Sequence, residues 1–550
     1  MMEIKIADKI MNIEGPIRLF QLLDESERKN YQAARVNNRI RELDYILSDN
    51  ATVEFIDLKD NDGCRIYQST LRYLIVMAAK RVFPNCRVIF NYSISRSIFA
   101  AVSNINRPFT KADLNSIEAE LNRIIEADLP INRRTVSKEE AIKYYSEHNM
   151  FDKVKVIKYR PEDTVHIYEC EEYKNYMFGY MLPSSGYIKE FKLKLYSPGF
   201  LIQYPRAEVG GVVPKFEDAP VFSNALKEAN TWGRISEASY IAQMNQVVEE
   251  KRALEFINIC ETKHNNMLAD LGLKIKNNID DIKLIAIAGP SSSGKTTFTN
   301  RLRIELMSRG ITPLMISIDD YYLGIDKAPK DEFGKPDLEH INALDRELFN
   351  DHMCKLIEGE EVQLPHFNFE TSSREPGKIV KLAPHQPIMI EGIHALNDEL
   401  TPSIPAHIKF RIYISPQAQL HIDDHNPISI SDIRLIRRMV RDHQFRNYGC
   451  EKTLAIWPSV RRGEFKWIYP YQEKADYVFN SELTYELCVL KKYALPLLEQ
   501  IDVESEYYIT ANRLVKFLKY FKDIKDTWIQ CNSILREFVG GSIFYTDDVE

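Results

Sequence analysis

The sequence has few cysteines, and they lie far apart. There are eight in 550 residues, with no CxxC pair and no short spacing typical of a zinc site. A disulfide framework and a zinc site built on cysteine pairs are therefore not expected. Reduced thiols of an intracellular protein are the simpler interpretation.

Long apolar runs and an excess of positive charge are also absent. No uninterrupted apolar run approaches the roughly 18 residues that a membrane span needs, and residues 1–14 carry charges instead of the apolar core of a signal peptide. The formal net charge is -7, which argues against a general nucleic-acid coat protein but permits a local basic patch. We expect a cytoplasmic protein with no membrane partner.

The composition that remains is typical of a globular protein with several domains. The hydrophobic share of 44% and the charged share of 27% are ordinary values. Because 550 residues are too many for one hydrophobic core, we expect about three to four domains.

The most informative stretch is a phosphate-binding pattern in the second half of the chain. The apolar run 284–288 predicts a buried parallel strand, and Gly289 to Thr296 then fits GxxxxGK[ST] and leads into a helical pattern. Inward-facing backbone amides and the N-terminus of the following helix favour phosphate at this loop. Lys295 can contact the terminal phosphates, and the Thr296 hydroxyl can bind Mg²⁺. We therefore expect ATP and Mg²⁺ as cofactors, and the predicted nucleotide-binding residues are Gly289, Ser291, Ser292, Ser293, Gly294, Lys295, Thr296 and Thr297.

Two later strands are predicted to end in carboxylates. The run 312–318 ends in Asp319 and Asp320, and the run 387–390 ends in Glu391. Open α/β sheets bind ligands at the carboxyl ends of their strands. Either aspartate could therefore meet an acceptor hydroxyl group.

Four arginines are spaced along one predicted helix. Spacings of three and four residues place them on one face, where guanidinium groups can spread over phosphate oxygens. A run of charges is more often a solvated face, so the pattern alone leaves both interpretations open. The residues are Arg434, Arg437, Arg438 and Arg441.

Together these segments resemble the uridine kinase and phosphoribulokinase family of P-loop kinases. The phosphate pattern, Ser317 to Tyr322, the segment 339–345, the strand ending at Glu391 and the arginine run occur in that family's order. The resemblance implies that Asp319 is the general base for a nucleoside 5′-hydroxyl, that Glu339 lies near the ribose and that Glu391 and Thr296 hold Mg²⁺. It also implies catalytic roles for Lys295, Arg434, Arg438 and Arg441, and acceptor binding by Asp319, Tyr322, Glu339, His340, Phe367, Arg374 and Arg437.

The base-recognition segment departs from the family pattern. Pro365, Phe369, Ser373 and Arg374 are kept, but Phe367 lacks the phenol of the usual tyrosine and Ser372 replaces a histidine. Discrimination between similar ligands depends largely on buried hydrogen-bonding groups. The choice between uridine, cytidine and another nucleoside therefore stays open.

The first 206 residues resemble another family, the threonyl-tRNA synthetases. Residues 1–62 are similar to its β-grasp TGS domain and residues 63–206 to its editing domain. Where that family has HxxxH, this chain has Gln68 and Arg72, and Cys170 lacks its partner histidine. We therefore expect an inactive scaffold, and contact with tRNA or RNA and homo-oligomerisation stay open.

The predicted fold is multidomain, with an α+β front part followed by an α/β P-loop kinase on a parallel sheet. The expected units are 1–62, 63–206, a helical connector 207–280, a kinase 281–500 and a C-terminal helix and tail 501–550. The predicted function is ATP-dependent phosphorylation of a nucleoside 5′-hydroxyl, most simply that of uridine or cytidine in pyrimidine salvage. The alternatives are a kinase of the same group for another small metabolite and a regulatory tRNA- or RNA-binding ATPase.

Overall fold

The computed structural model describes residues 2–368, 371, 373–417 and 420–544. Phe369 and Ser372, two positions of the predicted base-recognition segment, lie outside the described residues. Within the described part of the chain, no helix is both long and apolar enough to cross a membrane.

The chain begins with a small sheet whose inner face is apolar. Its strands are β1 Met2–Ile6, β2 Lys9–Ile13, β3 Ile17–Arg18, β4 Ala33–Val36, β5 Arg39–Arg41, β6 Ile46–Leu47 and β7 Ala51–Ile56. Five of them form a sheet in the order β2-β1-β7-β4-β5, in which β1 and β7 are parallel. Ile4 and Val53 point into the core from these two strands, as alternation along half-buried strands predicts.

A second α+β unit follows and contains one long, almost fully buried helix. Its elements are α1 Asn61–Val82, β8 Arg87–Ile94, β9 Ser97–Ser103, α2 Lys111–Glu126, β10 Asn132–Ser137, α3 Lys138–Glu147, α4 Phe151–Lys158, β11 Thr164–Cys170, β12 Tyr173–Asn175, β13 Lys192–Tyr196 and β14 Gly199–Gln203. The Asp60 carboxylate caps α1 by accepting a hydrogen bond from the Asp62 amide at 2.7 Å. The strands pair as β13-β14-β9-β8 and as β10-β11-β12.

The residues expected to form a connector contain three separate helices. These are α5 Pro220–Ile235, α6 Ile241–Glu249 and α7 Ala253–Asn277. Glu237 and Lys251 have φ of 53° and 60° at the two breaks. Neither residue is a helix breaker by type, so the periodicity of the sequence gave no sign of the interruptions.

The next region is built around a parallel sheet. Its elements are β15 Leu284–Ala288, α8 Lys295–Ser308, β16 Leu314–Ser317, α9 Arg346–Ile357, β17 Glu361–Asn368, β18 Ser373–Lys381, β19 Ile388–Glu391, β20 Lys409–Ser415, β21 His421–Asp423, β22 Asn426–Pro427, α10 Ile430–Arg446, α11 Cys450–Gly463, β23 Tyr477–Asn480 and α12 Glu486–Glu499. The sheet order is β16-β19-β15-β20-β23, and every neighbouring pair in it is parallel. The predicted multidomain architecture with a parallel sheet is confirmed.

The C-terminal part has a shorter helix than its sequence predicts. The pattern 507–528 suggests one helix, but α13 Tyr508–Leu518 ends ten residues earlier, and a short helix α14 Arg536–Val539 follows. Asn245 of α6 donates to the Tyr520 carbonyl at 2.7 Å and accepts from the Lys522 amide at 2.8 Å. These tertiary hydrogen bonds take backbone groups that a continuing helix would use.

Candidate active site

The phosphate loop, Gly289 to Thr296, joins the central strand β15 to α8. A side chain at Gly289 would collide with the Ile414 carbonyl oxygen of the neighbouring strand. Ser292 and Gly294 have φ of 59° and 87°, and this left-handed backbone turns the loop back toward the start of the helix. The loop thus places its amides and its serines around the N-terminus of α8.

The polar groups of the phosphate loop fit an anionic ligand. In the part of the chain that the structure describes, the Ser292 and Ser293 hydroxyl oxygens are buried and have no hydrogen-bond partner. Lys295 Nζ makes a long contact of 3.4 Å with the Pro290 carbonyl. Buried hydroxyl groups rarely stay without partners, and the helix terminus attracts negative charge. The donors present therefore fit nucleotide phosphates.

Two carboxylates face Lys295 at the carboxyl end of the sheet. Burial lowers the pKa of Lys295, and the charges of Glu391 and Asp319 act in the opposite direction. Burial likewise raises the pKa of Asp319, while the Lys295 charge lowers it. Burial raises the pKa of Glu391 to about 7, although the positive charge of Lys295 acts to lower it. The three side chains form one electrostatic cluster beside the phosphate loop.

The residues expected to hold Mg²⁺ lie next to each other. The Thr296 hydroxyl donates to Glu391 Oε1 at 3.4 Å. Among the described residues, no group of three His, Cys, Asp or Glu side chains is placed to hold a metal ion. Magnesium in kinase sites is bound by one or two carboxylates, waters and substrate phosphates. A hydroxyl and one carboxylate beside the loop fit that pattern.

The structure separates the roles of the two aspartates at the end of β16. Asp319 interacts with Lys295. Asp320 accepts a hydrogen bond from the Phe367 amide at 3.1 Å and lies 3.2 Å from His366 Nδ1. Asp320 therefore ties β17 to the sheet edge, and Asp319 is the aspartate beside the phosphate loop.

The expected acceptor residues gather on the far side of Asp319. Burial raises the pKa of Glu339 to about 7, although the Arg438 charge opposes this. The Tyr322 hydroxyl donates to the Leu338 carbonyl at 3.2 Å, and the His340 ring packs edge-on against Trp467 at 4.5 Å. Tyr322 and His340 thus lie on either side of Glu339 in the sequence, and each is held by a contact with a neighbouring element or loop.

The base-recognition residues are less open to a ligand than the sequence suggested. Phe367 is only 6% exposed, and its ring centroid lies 5.8 Å from that of Tyr322. Arg374 pairs with Asp345 at 2.8 Å. Phe367, which is expected to meet the acceptor, is therefore largely covered, and Arg374 is held in an ion pair.

The predicted arginine face is divided between two environments. Arg434 and Arg437 are 1% and 0% exposed and form bidentate pairs with Glu464 and Glu486. In the same helix, Arg438 donates to the Ser291 hydroxyl at 2.8 Å. Arg434 and Arg437 are therefore enclosed in ion pairs, and Arg438, at 8% exposure, is also buried and pairs with Asp442 at 3.1 Å.

The buried arginines nevertheless contact the phosphate loop. Arg434 Nε donates to the Ser291 carbonyl at 2.9 Å, and Arg437 Nη1 donates to the Ser292 carbonyl at 3.4 Å. Arg441, the most exposed of the four, pairs with Asp442 at 3.2 Å. We call α10 the arginine helix, because three of its arginines contact the phosphate loop directly.

Residues 284–487 match the Phosphoribulokinase / Uridine kinase family. The match covers the sheet, the phosphate loop, the acceptor residues and the arginine helix. It supports a P-loop kinase of the uridine kinase and phosphoribulokinase type, and families of this kind use ATP and Mg²⁺ in general. We call this part of the chain the kinase region.

The N-terminal region matches threonyl-tRNA synthetases. A threonine–tRNA ligase from Symbiobacterium thermophilum is 35% identical over 162 residues, which are 29% of this chain and 25% of the ligase. A threonine–tRNA ligase from Desulforamulus reducens is 31% identical over 162 residues, which are again 29% of this chain and 25% of the ligase. The chain thus spans about a quarter of the length of these relatives. We call residues 1–206 the synthetase-like region.

Two of the solved structures that are similar to part of the chain are kinases by their titles. A putative fructose transport system kinase from Silicibacter sp. TM1040 covers 38% of this chain and 98% of its own, with 18% identity and a TM-score of 0.28. A possible uridine kinase from Bacillus stearothermophilus covers 38% of this chain and all of its own, with 21% identity and a TM-score of 0.23.

Two groups of residues near the kinase site had no signal in the sequence. Ile534 packs on the Cα face of Gly294, and the Glu537 carboxylate accepts a hydrogen bond from the Thr297 amide at 3.1 Å. Both come from the C-terminal segment, about 240 residues after the loop. His394, three residues after Glu391, is buried beside Trp467, and burial lowers its pKa to about 4.

Proposed function

We propose that this protein is an ATP- and Mg²⁺-dependent kinase that phosphorylates the 5′-hydroxyl of a nucleoside, with uridine and cytidine as the first candidates. The observation that carries the proposal is the cluster of Lys295, Asp319 and Glu391 beside the phosphate loop. It combines a phosphate-binding cation, a base and a metal-binding carboxylate at the end of one parallel sheet.

In this proposal the phosphate loop and α8 bind the nucleotide phosphates. Lys295 balances charge on the terminal phosphates, and the Ser292 and Ser293 hydroxyls supply further donors. Thr296 and Glu391 would hold Mg²⁺, which supplies positive charge to the transferring phosphoryl group. Arg438 and Arg441 add positive charge from the arginine helix. Arg434 and Arg437 support the loop through its carbonyl oxygens.

Asp319 would accept the proton of the acceptor hydroxyl. Burial raises its pKa, against the opposing charge of Lys295, and a raised pKa makes it a stronger base than a free aspartate. As the proton passes to the carboxylate, the hydroxyl oxygen forms its bond to phosphorus in line with the leaving group. Glu339 would hold the acceptor by accepting hydrogen bonds from neighbouring hydroxyl groups.

A kinase of the same group for another small alcohol is the second candidate. It is favoured by the buried position of Phe367, which offers little surface for stacking on a base. Hydroxyl groups on any polyol acceptor could still reach Glu339 and Asp319.

A panel assay separates these proposals. ADP release is measured with uridine, cytidine, purine nucleosides and phosphorylated sugars, each with and without tRNA. ADP release stimulated by a pyrimidine nucleoside, with a 5′-phosphorylated product, supports the first candidate. Turnover that depends on tRNA without such a product would instead favour a regulatory RNA-binding ATPase.

Binding of the acceptor should depend on pH through Glu339. Burial raises its pKa to about 7, so the carboxyl is mostly neutral below that pH and ionised above it. Since only the carboxylate accepts hydrogen bonds with both oxygens, KM for the acceptor should fall as pH rises from 6 to 8. Glu339→Gln should weaken binding and flatten this profile. A wild-type KM that is constant over this range would contradict the assignment.

Glu537→Gln should strengthen ATP binding. The Glu537 carboxylate lies against the Thr297 amide, at a helix terminus that favours anions. Removing its charge should lower the dissociation constant of ATP about twofold to tenfold, as expected for one charge at a helix terminus. Isothermal titration calorimetry measures this, with the exposed Glu504→Gln as control. Weaker binding by Glu537→Gln would show that the carboxylate helps to hold the nucleotide.

A further inference from the structure

The kinase region inserts a short hairpin into the synthetase-like region. This hairpin, which we call the docking hairpin, consists of β21, β22 and the two residues between them, Asp424 and His425. Its side chains from Asp423 to Asn426 are all buried. The hairpin therefore packs between the synthetase-like region and the connector, where it contacts β8 and α4 on one side and Ser239, Tyr240 and α6 on the other.

Two ion pairs anchor the docking hairpin. Lys153 Nζ lies 2.6 Å from Asp423 Oδ1, and both side chains are 0% exposed. At the rim, Arg87 forms a bidentate pair with Asp424 at 2.7 and 2.9 Å. The Tyr240 hydroxyl also donates to Asp424, at 2.6 Å. A buried charge without its partner is costly, so Lys153 and Asp423 each require the other region to be in place.

The tip of the hairpin occupies the cleft where the synthetase family has its catalytic side chains. Arg72, which stands at the second histidine position of HxxxH, donates to the His425 carbonyl oxygen. Asn175 Nδ2 lies 2.9 Å from His425 Nδ1, and the Phe178 amide donates to Asn426 Oδ1 at 2.8 Å. Arg72, at a position of the family's HxxxH pattern, and its neighbours Asn175 and Phe178 thus bind the backbone and the side chains of the kinase region.

The docking hairpin continues directly into the arginine helix. Asn426 and Pro427 end β22, and α10 begins at Ile430. From this helix, Arg434 and Arg437 donate to the carbonyl oxygens of Ser291 and Ser292. Arg438 donates to the Ser291 hydroxyl. A short and rigid path therefore links the cleft of the synthetase-like region to the phosphate loop.

We propose that the synthetase-like region is a docking site for the kinase region's own hairpin, and that this docking positions the phosphate loop through the arginine helix. The residues of the cleft are positioning residues and take no part in the chemistry. This role explains the fusion of the two regions, since the kinase region leaves Asp423 and Asp424 without counterions when it is alone. The proposal rests on the phosphate loop being a nucleotide site.

Arg87→Met in the full chain tests the proposal. Arg87 is 45% exposed, so its replacement should leave the chain folded while it loosens Asp424. The dissociation constant of ATP, measured by calorimetry, should rise about threefold to thirtyfold, the range of coupling energies between linked sites. Amide hydrogen exchange should increase over residues 421–446. Tyr240→Phe, which removes one hydrogen bond from Asp424, should shift both readouts in the same direction by less.

The matched control is Arg81→Met. Arg81 also holds carboxylates of the synthetase-like region, namely Glu120, Glu171 and Glu172, but it lies away from the hairpin. The Arg81→Met variant should leave the dissociation constant of ATP and the amide hydrogen exchange of residues 421–446 unchanged. Equal effects of both variants, or no effect of Arg87→Met, would overturn the proposal. A wild-type chain that binds no ATP would instead contradict the proposed function.

The filled cleft has a second consequence. A tRNA 3′ end cannot enter while the docking hairpin occupies the cleft, so the full chain should not deacylate mischarged tRNA above the uncatalysed rate. Robust deacylation would overturn the assignment of the cleft as a docking site.

Discussion

Lys295→Ala is expected to lower acceptor-dependent ADP release by about a hundredfold to a thousandfold, the usual loss when a charge-stabilising donor is removed from an active site. Lys295 is the cation between Asp319 and Glu391. Without it, the terminal phosphates would face two carboxylates, and the pKa of each carboxylate would rise further because the opposing charge is gone. Initial rates of ADP release at saturating acceptor measure the effect.

The control for this variant is a lysine outside the site. Lys276 is exposed near the end of α7, and Lys276→Ala should keep the wild-type rate. Asp319→Asn should lower kcat while nucleotide binding is retained, since the amide cannot accept the proton. If Lys295→Ala kept more than a tenth of the wild-type rate, the proposed phosphate site would be contradicted.

Glu464→Ala is expected to destabilise the kinase region by about 3–5 kcal/mol, the cost of removing one partner of a buried ion pair. Glu464 is fully buried between Arg434 and Arg461 and also accepts a hydrogen bond from the Tyr469 hydroxyl at 3.1 Å. Its loss leaves the Arg434 guanidinium buried without a counterion. The support that Arg434 gives to Ser291 should weaken at the same time.

The measurement is urea unfolding followed by tryptophan fluorescence. All four tryptophans, at 232, 457, 467 and 528, lie outside the synthetase-like region, and Trp457 packs under Arg434 at 5.4 Å. The signal therefore reports on the part of the chain after residue 206. Because a chain of several domains need not unfold in one step, transition midpoints are compared between variants.

Glu332→Ala is the matched control for the stability experiment. Glu332 is 66% exposed, and it pairs with Arg462 at 3.7 Å. Exposed ion pairs contribute about 0–1 kcal/mol, so the midpoint should hardly change. A Glu464→Ala midpoint equal to that of Glu332→Ala would mean that the Arg434 pair contributes nothing to stability.

The phosphate loop and its strands could be predicted because their signals are local. Within about 15 residues the chain has a buried strand, then a turn that needs Gly289 and Gly294, and then the start of a helix. Backbone preferences and hydrophobic periodicity encode this succession of elements. The expected parallel sheet and the expected family of the kinase region are both confirmed. Both predictions depended on local signals of this kind. The site roles of its residues stay predictions.

The arginine helix shows where local information ends. The spacing of Arg434, Arg437, Arg438 and Arg441 predicts a shared face, but it does not say which neighbours that face meets. Glu464 and Glu486 come from elements 30 and 49 residues away, and their carboxylates decide which guanidinium groups are buried. Burial of a charge depends on its partners in space.

By itself, the sequence determined that this protein has a phosphate loop in a parallel sheet, followed by carboxylates in the order a P-loop kinase site requires. Only the tertiary structure decided what surrounds that loop. The Glu537 carboxylate at the Thr297 amide is 240 residues away in the chain, and the contact of Arg72 with His425 spans 353 residues. Periodicity and turn chemistry act over a few residues, whereas such contacts are fixed by how whole domains pack, so the pattern of residues near either partner could not reveal them.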